Sequence, residues 1–566
     1  MSNLGNDNFY NKGGALVDWR LRNLDYSRII DVHKASDHSE VNSFVNEIFD
    51  LYLDLDRSST RTRNAYKKHL KLLLLDLYVA WSNDPAQYIR VHMDENVYGK
   101  GEFGIKRYND LWIKGTLTRV VRILREVGMT PEEVKECNDN GGHYETGLIG
   151  FKRGIDLGEG RLSRIWATNE LIEKFENARF GEFDIGYSEG KETVVLKDEN
   201  KEFIDYDPTR ETDRMSEVLR DYNAVLEKSF IDIGDLEKPS IQVGERKSKR
   251  KDAEGNAIYL PVYVNITHHS KFTRRIFNNG SFKQGGRFYG GWWQRLNGDL
   301  RKSILIDGTR TVEIDFSGLH PNLAYTRQGL DYSGTDPYDI HIEAFDELGI
   351  NNPKVSREVI KLMMLLSLNA PNETSLFKAF RNEFDYSFLG GLPFRFTNEQ
   401  LSRILKSIKD EHHPIADQFA SNAGIDLMYL DSQIVEDIVK IFIAEGEPIL
   451  QVFDSFIVKF WQEDLLRACM HEAFQATTGR KAIEMKQNEN LTIDWVNNQM
   501  HLDREAYLAR MEHIRNPKLC TGYLNRLNRH NKHYANKDVQ QDRPMFVPDE
   551  IIEPKNYKKY KDRQNN

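Results

Sequence analysis

Residues 311–320 read Thr-Val-Glu-Ile-Asp-Phe-Ser-Gly-Leu-His. The β-branched and apolar side chains before Asp315 predict a short strand that ends in an aspartate. The Ser317-Gly318 pair that follows predicts a turn into a helix. An aspartate in this position is either a turn residue or a ligand held on a rigid strand end.

A second aspartate lies far downstream, in Ile-Leu-Gln-Val-Phe-Asp-Ser-Phe-Ile-Val at residues 449–458. Two apolar runs flank Asp454 and Ser455, which predicts a β-hairpin with Asp454 at its tip. Phosphoryl-type transfer needs carboxylates that hold divalent cations, and cations that grip phosphates. Because Mg²⁺ takes one or two carboxylates plus substrate phosphates, two aspartates are enough.

The cations stand between the two acids, in Ser-Arg-Glu-Val-Ile-Lys-Leu-Met-Met-Leu at residues 356–365. Ser356 can cap a helix here. Arg357 and Lys361 are four residues apart, so they project from one helix face. That face suits a triphosphate, and the alternative is a pair of ordinary surface cations.

The order of these segments resembles family A polymerases, both the DNA polymerase I type and the single-subunit phage-type RNA polymerases. The resemblance covers about residues 281–480 and neither the first 240 residues nor the tail. Its motifs are, in order, QGGRFY (284–289), DFSGLH (315–320), DIH (339–341), RxxxK (Arg357 and Lys361), DSQ (431–433) and QVFDSF (451–456).

The resemblance implies a role for each matched residue. Two Mg²⁺ ions, with Mn²⁺ as an alternative, would be bound by Asp315, Asp454 and the Phe316 carbonyl. The incoming triphosphate would be held by His341, Arg357 and Lys361, with Lys361 nearest the reacting phosphate as an electrostatic stabiliser in catalysis. The growing duplex would be touched by Arg287 and Gln433. Trp292 and Trp293 either stack on bases or pack in the core.

The chain departs from the family pattern around the nucleotide. Asn369 occupies the position of the fingers aromatic, and His320 stands where DNA enzymes use a glutamate against ribose. Phe453 replaces a histidine in the last motif. These nucleotide-facing positions leave the choice between dNTP and NTP open.

The N-terminal region has a different pattern. Residues 117–124 place four apolar side chains on one helix face, with Arg119 and Arg122 off that face. The glycine-rich stretch 147–168, which contains Arg164, predicts a hairpin. A helix followed by a basic hairpin resembles a winged helix that docks on DNA through these three arginines. The alternative is a small α+β domain whose arginines are merely solvated.

The predicted fold class is α+β: a right-hand polymerase with an antiparallel palm sheet, helical fingers and thumb, and an N-terminal winged-helix-like domain. The segments are a polar arm (1–35), the winged-helix-like domain (36–175), a helical thumb-like segment with a basic loop at 245–251 (176–257), palm (258–325), fingers (326–424), palm (425–500) and a basic tail (501–566).

Bulk properties limit the partners. The net charge of −9 means that nucleic acid must meet a local basic surface rather than a global attraction. Three well-separated cysteines disfavour a zinc ribbon or a disulfide framework. The most apolar run, 70–81, contains two charged residues and is too short to span a bilayer. With no signal-peptide pattern at the start, a cytosolic protein without membrane contact is expected.

The sequence thus predicts a template-directed DNA polymerase that uses a DNA template, a primer and nucleoside triphosphates. No convincing proofreading exonuclease motif occurs. One alternative is an RNA polymerase or primase-like synthase, which Asp454-Ser455-Phe456 favours. The other is a DNA-binding replication protein with an inactive palm.

Overall fold

The computed structural model describes residues 23–53, 55, 58–154, 161–251, 255–334, 336–348, 350–385, 395–480, 483–487 and 517–535. Its helices are α1 Ser39–Tyr52, α2 Thr60–Asn83, α3 Gly101–Gly104, α4 Thr116–Arg125, α5 Pro131–Asp139, α6 Asn169–Glu176, α7 Arg210–Lys228, α8 Gly298–Arg301, α9 Leu319–Arg327, α10 Glu343–Glu347, α11 Pro353–Asn369, α12 Glu373–Glu383, α13 Asn398–Glu411, α14 Gly424–Glu445, α15 Glu463–Thr478 and α16 Thr521–Ala535.

The strands are β1 Ser27–Ile29, β2 Lys34–Ala35, β3 Tyr88–Val91, β4 His143–Tyr144, β5 Ile149–Lys152, β6 Ser163–Ala167, β7 Gly186–Tyr187, β8 Val194–Leu196, β9 Ile231–Ile233, β10 Ser240–Lys251, β11 Ala257–Asn265, β12 Arg274–Asn278, β13 Ser281–Tyr289, β14 Ile304–Ile306, β15 Thr309–Phe316, β16 Leu450–Val452, β17 Ser455–Lys459 and β18 Met485–Gln487. The fold class is therefore α+β, as predicted. None of the helices described is both long and apolar enough to cross a bilayer.

A six-stranded antiparallel sheet holds both predicted acids. Its order is β16-β17-β15-β14-β9, and β18 pairs with β15 on the side opposite β17. The strand, turn and helix predicted around Asp315 are confirmed, with Gly318 at φ +62° before α9. The hairpin predicted around Asp454 is also confirmed, as β16 and β17.

Two separate apolar cores divide the chain. The first joins buried residues from Ile30 to Ile185, and the second joins residues from Val194 to Phe474. The boundary therefore lies near residues 186–193 rather than at 175. The helices α11, α12 and α13 belong to the second core, so the segment predicted as helical fingers is indeed largely helical.

The N-terminal region contains the predicted elements but more sheet than a winged helix needs. Helix α4 buries the predicted apolar face, and β5 pairs with β6 as the predicted hairpin. That hairpin belongs to a five-stranded sheet of order β1-β3-β6-β5-β4, in which β1 runs parallel to β3. Residues 27–29 and 34–35 are thus strands, so the prediction of a free arm over 1–35 was wrong for this part. Residues 1–22 lie outside the described residues.

The basic segment 245–251 was predicted to be a loop, and this was wrong. It forms the end of β10, which pairs with β11 in a long two-stranded hairpin. The strand predicted over 259–267 is confirmed as β11, but in this hairpin and not in the sheet of the acids. Strands β12 and β13 join β8 in a third sheet, so residues 258–325 contribute to three sheets.

Part of the predicted C-terminal tail is folded. Helix α16 buries Tyr523 against Phe230 and Leu305, and Arg526 Nε lies 2.7 Å from Asp232 Oδ2. Because β9 carries Asp232, the helix is attached to the edge of the six-stranded sheet. Residues 501–516 and 536–566, and residues 488–500 of the second palm segment, fall outside the described part of the chain.

Candidate active site

Two aspartates 139 positions apart in the chain meet where β15 lies beside the tip of the β16–β17 hairpin. Asp315 is paired in register with Ser455, the first residue after the hairpin tip. The Phe316 amide donates to the Asp454 carbonyl over 3.4 Å. The tip holds Phe453 at φ +58°, a left-handed conformation that costs a non-glycine residue about 1–2 kcal/mol. The sheet therefore fixes both acids at one place.

The two carboxylates lack an internal counter-charge strong enough to neutralise them. Burial, the charge of Asp454 and that of Glu313 raise the pKa of Asp315 to about 8. Burial and the charge of Asp431 raise the pKa of Asp454. Oδ1 of Asp315 is buried and accepts no hydrogen bond from the described residues. A cation between the two acids would remove both the repulsion and the orphaned oxygen.

The donor set fits magnesium. Two carboxylates and a nearby main-chain carbonyl, that of Phe316, are hard oxygen donors of the kind Mg²⁺ takes when substrate phosphates complete its shell. The Phe316 side chain is buried in the core, and its backbone pairs with Met485 of β18. Within the described ranges, no group of three or more ligating side chains forms a self-sufficient metal cage.

A third acid, Asp431 of α14, lies behind this pair and was not predicted. Arg287 donates from Nε to Asp431 Oδ2 over 2.6 Å, and His320 Nε2 lies 3.6 Å from the same oxygen. Burial alone would raise the pKa of Asp431, but Arg287 and His320 outweigh it and lower that pKa. Asp431 therefore positions Arg287 and His320 beside Asp454.

The sequence carried a signal for Asp431. It interrupts the apolar face of α14 formed by Leu427, Val435 and Ile438, at spacings of four, four and seven residues. An acid on the buried face of a helix needs a partner. The partner, Arg287, is 144 positions away and therefore cannot be identified from helical spacing.

Arg287 and His320 form one hydrogen-bonded unit instead of two separate contacts. Arg287 Nη2 lies 2.7 Å from His320 Nε2, and its guanidinium is 5.5 Å from the Phe453 ring centroid. His320 is buried, with 7 % of its surface exposed. The residue predicted to face the sugar thus contacts the predicted duplex-binding arginine, next to the hairpin tip.

The predicted cationic helix α11 approaches the acids. The positive charge of Lys361 lowers the pKa of Asp315, against the larger raising effects of burial and Asp454. Lys361 is exposed, and no ion pair forms between it and any described residue. Arg357, one turn earlier, donates from Nε to Asp336 Oδ2 over 2.7 Å. It also lies 5.3 Å from the ring centroid of Tyr338.

Tyr338 links this helix to the acids, and sequence reasoning missed it. Burial raises its pKa, and the charges of Asp454 and Asp336 raise it further. The tyrosine is therefore within electrostatic reach of the hairpin tip while its ring contacts Arg357. Its only sequence signal is its place immediately before Asp339-Ile340-His341.

Three predicted residues lie apart from this cluster. His341 is on the surface, with a side chain 76 % exposed and Nε2 3.9 Å from Asp346 Oδ2. Asn369 ends α11, about 12 Å along the helix axis from Lys361, and donates to the Leu365 carbonyl. Gln433 is two residues past Asp431, so the two side chains leave α14 on different faces.

The predicted DNA contacts in the N-terminal region are occupied or buried. Arg119 Nη2 lies 3.0 Å from Glu95 Oε2, and Arg122 Nη1 lies 3.8 Å from Glu95 Oε1. Arg164 is only 4 % exposed and donates to the carbonyls of Leu24 and Leu162. Burial therefore prevents Arg164 from contacting a phosphate on the open surface, so the prediction that it docks there on DNA was wrong.

Burial decides between the two roles predicted for Trp292 and Trp293. Trp292 and Trp293 are 2 % and 0 % exposed, and Trp293 Nε1 donates to the Gln451 carbonyl over 3.0 Å. They pack in the core, one of the two alternatives considered, and they support the strand that leads to Asp454.

No model of a known protein family matches this chain, and a search of curated proteins finds no significant match.

Proposed function

We propose that this chain is a template-directed nucleotidyl transferase: a DNA polymerase of the family A type, without a proofreading exonuclease. The observation that carries the proposal is the meeting of Asp315, on β15, with Asp454, at the tip of the adjacent β16–β17 hairpin, within the electrostatic reach of Lys361. In this reading the six-stranded sheet is the palm, α11 to α13 are the fingers, and α7 lies in the thumb-like segment of a right hand.

The reaction would join a primer 3′-hydroxyl oxygen to the α-phosphorus of a nucleoside triphosphate and release pyrophosphate. Asp315, Asp454 and the Phe316 carbonyl would hold two Mg²⁺ ions, which when bound supply positive charge to the attacking and leaving oxygens. Lys361, exposed and without an ion pair among the described residues, would contact the triphosphate and stabilise its developing charge.

Arg357 would serve the same triphosphate once it leaves Asp336. Its ion pair with Asp336 is partly exposed, so breaking that pair costs about 0.2–1 kcal/mol, which a phosphate contact can replace. Asp431 would hold Arg287 and His320 against the hairpin tip, where the primer end has to lie for in-line attack. These are positioning roles, because neither Asp431 nor Asp336 needs to touch the reacting atoms.

The test is primer extension on a primed single-stranded template with magnesium, with dNTPs and NTPs supplied in separate reactions. Extension with dNTPs that requires magnesium and the template sequence is the expected result. Extension with NTPs alone would make the chain an RNA polymerase, the reading favoured by Ser455 and Phe456 after Asp454. No incorporation of either nucleotide by folded protein would reduce the chain to a nucleic-acid binder.

A further inference from the structure

A row of cations crosses one face of the five-stranded N-terminal sheet. Arg90 of β3 is paired directly with Arg164 of β6, and Arg164 is paired in turn with Lys152 of β5. Cross-strand partners project from the same face of a sheet, and like charges placed opposite each other repel. Arg90 and Arg164 therefore repel each other, and an anion against this face would relieve that repulsion.

Two further arginines reach this row from other elements. Arg246 comes from β10 of the long hairpin, and Arg295 follows β13 and donates to the Tyr263 carbonyl over 3.1 Å. Burial, Arg246 and Arg295 lower the pKa of Arg90. Burial, Arg161, Arg90 and Arg246 lower the pKa of Arg164 to about 9.

These four arginines, which we call the arginine cluster (Arg90, Arg164, Arg246 and Arg295), have no carboxylate partner in the part of the chain that the structure describes. Nε of Arg90 is buried and has no hydrogen-bond partner among the described residues. By contrast, the neighbouring Arg161 is paired with Asp25. A cluster of guanidinium groups without internal anions is suited to a ligand with several phosphates.

An aromatic row runs beside the cations on the same two strands. Tyr88 and Trp166 are each two residues from an arginine of the row, so they share its face. Their ring centroids are 5.2 Å apart. They line a cavity of about 400 Å³ together with Tyr26 and Tyr263, whose ring centroids are 5.0 Å apart.

The long hairpin of β10 and β11 covers one side of the cavity, which Ser240 and Tyr263 line. Tyr263 of β11 accepts a hydrogen bond from Asn23 over 3.2 Å, and Gln87 donates to Asn265 over 2.8 Å. On the other side, Arg295 belongs to the same short turn as Trp293, which holds the strand before Asp454.

The carboxylates that line the cavity have neighbours of their own. Asp84 accepts a hydrogen bond from Tyr26 over 3.0 Å, Glu170 accepts one from Tyr52 over 2.7 Å, and Glu145 lies 3.3 Å from His143. Carboxylate oxygens accept hydrogen bonds from the amino groups of bases but repel phosphates. The cavity wall therefore suits a base, while the arginine cluster suits the backbone.

We propose that this cavity and the arginine cluster bind single-stranded nucleic acid, with one unpaired base among the aromatic side chains and the flanking phosphates on Arg246 and Arg295, the exposed members of the cluster. Alternating aromatic and cationic contacts of this kind bind single strands with little sequence preference. The assignment of that strand as the template rests on the proposed function. The docking face is then the sheet and hairpin, rather than helix α4.

The first experiment measures binding of a labelled single-stranded oligonucleotide by fluorescence anisotropy, in EDTA and over a range of salt concentrations. The double variant R246A/R295A removes two exposed cations. It should bind more weakly, and the slope of log K against log salt should fall by about 1.4, since each phosphate contact on a single strand contributes roughly 0.7. The charge-matched control R210A/R220A, on exposed positions of α7, should keep the wild-type slope.

A third variant, R119A/R122A, tests the rival face. If it flattens the salt dependence while R246A/R295A leaves it unchanged, the proposal is overturned and α4 is the docking surface. Equal slopes for R246A/R295A and R210A/R220A would also overturn it. Since no catalysis occurs in EDTA, binding through the arginine cluster can hold even if nucleotide incorporation fails, and the two proposals are tested separately.

The base-binding part is tested with Tyr263→Leu, which keeps apolar volume but removes the ring. Affinity should fall roughly 5- to 150-fold, the range for loss of one base–aromatic stack. An oligonucleotide with abasic sites throughout should bind wild type and variant equally. If dAMP displaces the oligonucleotide as well as an unlabelled strand does, the cavity is a mononucleotide site and the strand proposal is wrong.

Discussion

Glu436 and Asp315 are both carboxylates withdrawn from solvent, yet they are treated in opposite ways. Glu436 of α14 is 2 % exposed and forms ion pairs with Arg275, with Arg214 at 2.8 Å and with Lys440 at 2.7 Å. Burial would raise its pKa, but these three cations lower it. Asp315 faces two other acids and has a raised pKa.

The difference separates a structural charge from a functional one. A buried carboxylate that contributes to folding brings its cations with it. A carboxylate pair that the chain leaves uncompensated is stabilised only by a cation from solution, and that dependence is typical of catalytic sites. Asp431 is intermediate, because it contacts one arginine and one histidine and also lies beside the uncompensated Asp454. The comparison gives five predictions.

Removal of one member of the uncompensated pair should abolish chemistry without harming the fold. Asp454→Asn is expected to reduce nucleotide incorporation by at least about 10³-fold, because the remaining acid cannot hold two cations. Its melting temperature should not fall, since a repulsion is removed. Asp410→Asn, an exposed acid on α13, is the matched control. Retained incorporation by the Asp454 variant would refute the metal assignment.

Removal of the charge of Glu436, which has cation partners, should destabilise the fold without a direct effect on nucleotide incorporation. Glu436→Gln leaves Arg275 and Arg214 without their carboxylate partner and Lys440 with only Asp437, so the free energy of unfolding should fall by about 3–5 kcal/mol in urea titrations. The neighbouring Asp437→Asn breaks only a partly exposed pair with Lys440 and should cost less than about 1 kcal/mol. Comparable losses from both variants would remove the distinction between the two sites.

Lys361 is a positive charge of the chain that acts on Asp315. Its removal therefore tests whether this cation serves the reaction rather than the fold. Lys361→Ala should lower the rate of incorporation by about 10²–10³-fold, as expected for a group that stabilises transition-state charge. Template affinity should stay the same. Lys354→Ala, exposed at the start of the same helix, is the control for helix and charge. A parallel loss of template binding would contradict the triphosphate role.

The pH dependence follows from the raised pKa of Asp315. Between its ordinary pKa of 3.8 and about 8, the folded protein holds a proton that the unfolded chain lacks. Stability of the metal-free protein should therefore fall as pH rises through this window. Asp315→Asn should remove that slope in thermal melts.

Magnesium should reverse this destabilisation at the upper end of the window. At a concentration of 100 times Kd, a ligand that binds only the folded state stabilises it by about 2.7 kcal/mol. The increase in melting temperature should be absent in Asp454→Asn. An equal increase in both proteins would mean that the ion binds elsewhere.

Local elements could be predicted from sequence because their causes are local. The strand before Asp315, the turn at Gly318 and the hairpin around Asp454 follow from alternation and turn residues within about ten positions. The convergence of the two acids was expected only through the order of the motifs, and the register of Asp315 with Ser455 supports it.

Most of the errors involve partners that are distant in sequence. Residues 245–251 look like a solvated loop because their charges hide a strand whose partner is β11. Arg164 looks exposed because nothing nearby indicates the sheet that covers it. The role of Asp431 could not be predicted without its distant partner Arg287. The arginine cluster could not be predicted without the register that pairs β3 with β6. Such pairings are set by tertiary packing, which overrides local propensity.

The double pairing of β15 has a consequence for motion. Asp315 is flanked by Ser455 on one neighbouring strand and by Lys486 on the other, so its backbone is held on both sides. Its amide should be among the slowest to exchange with deuterium, because the sheet has to open before solvent reaches it. Under the proposed function, closure around a nucleotide would then involve movement of α11 toward the sheet while Asp315 stays in place.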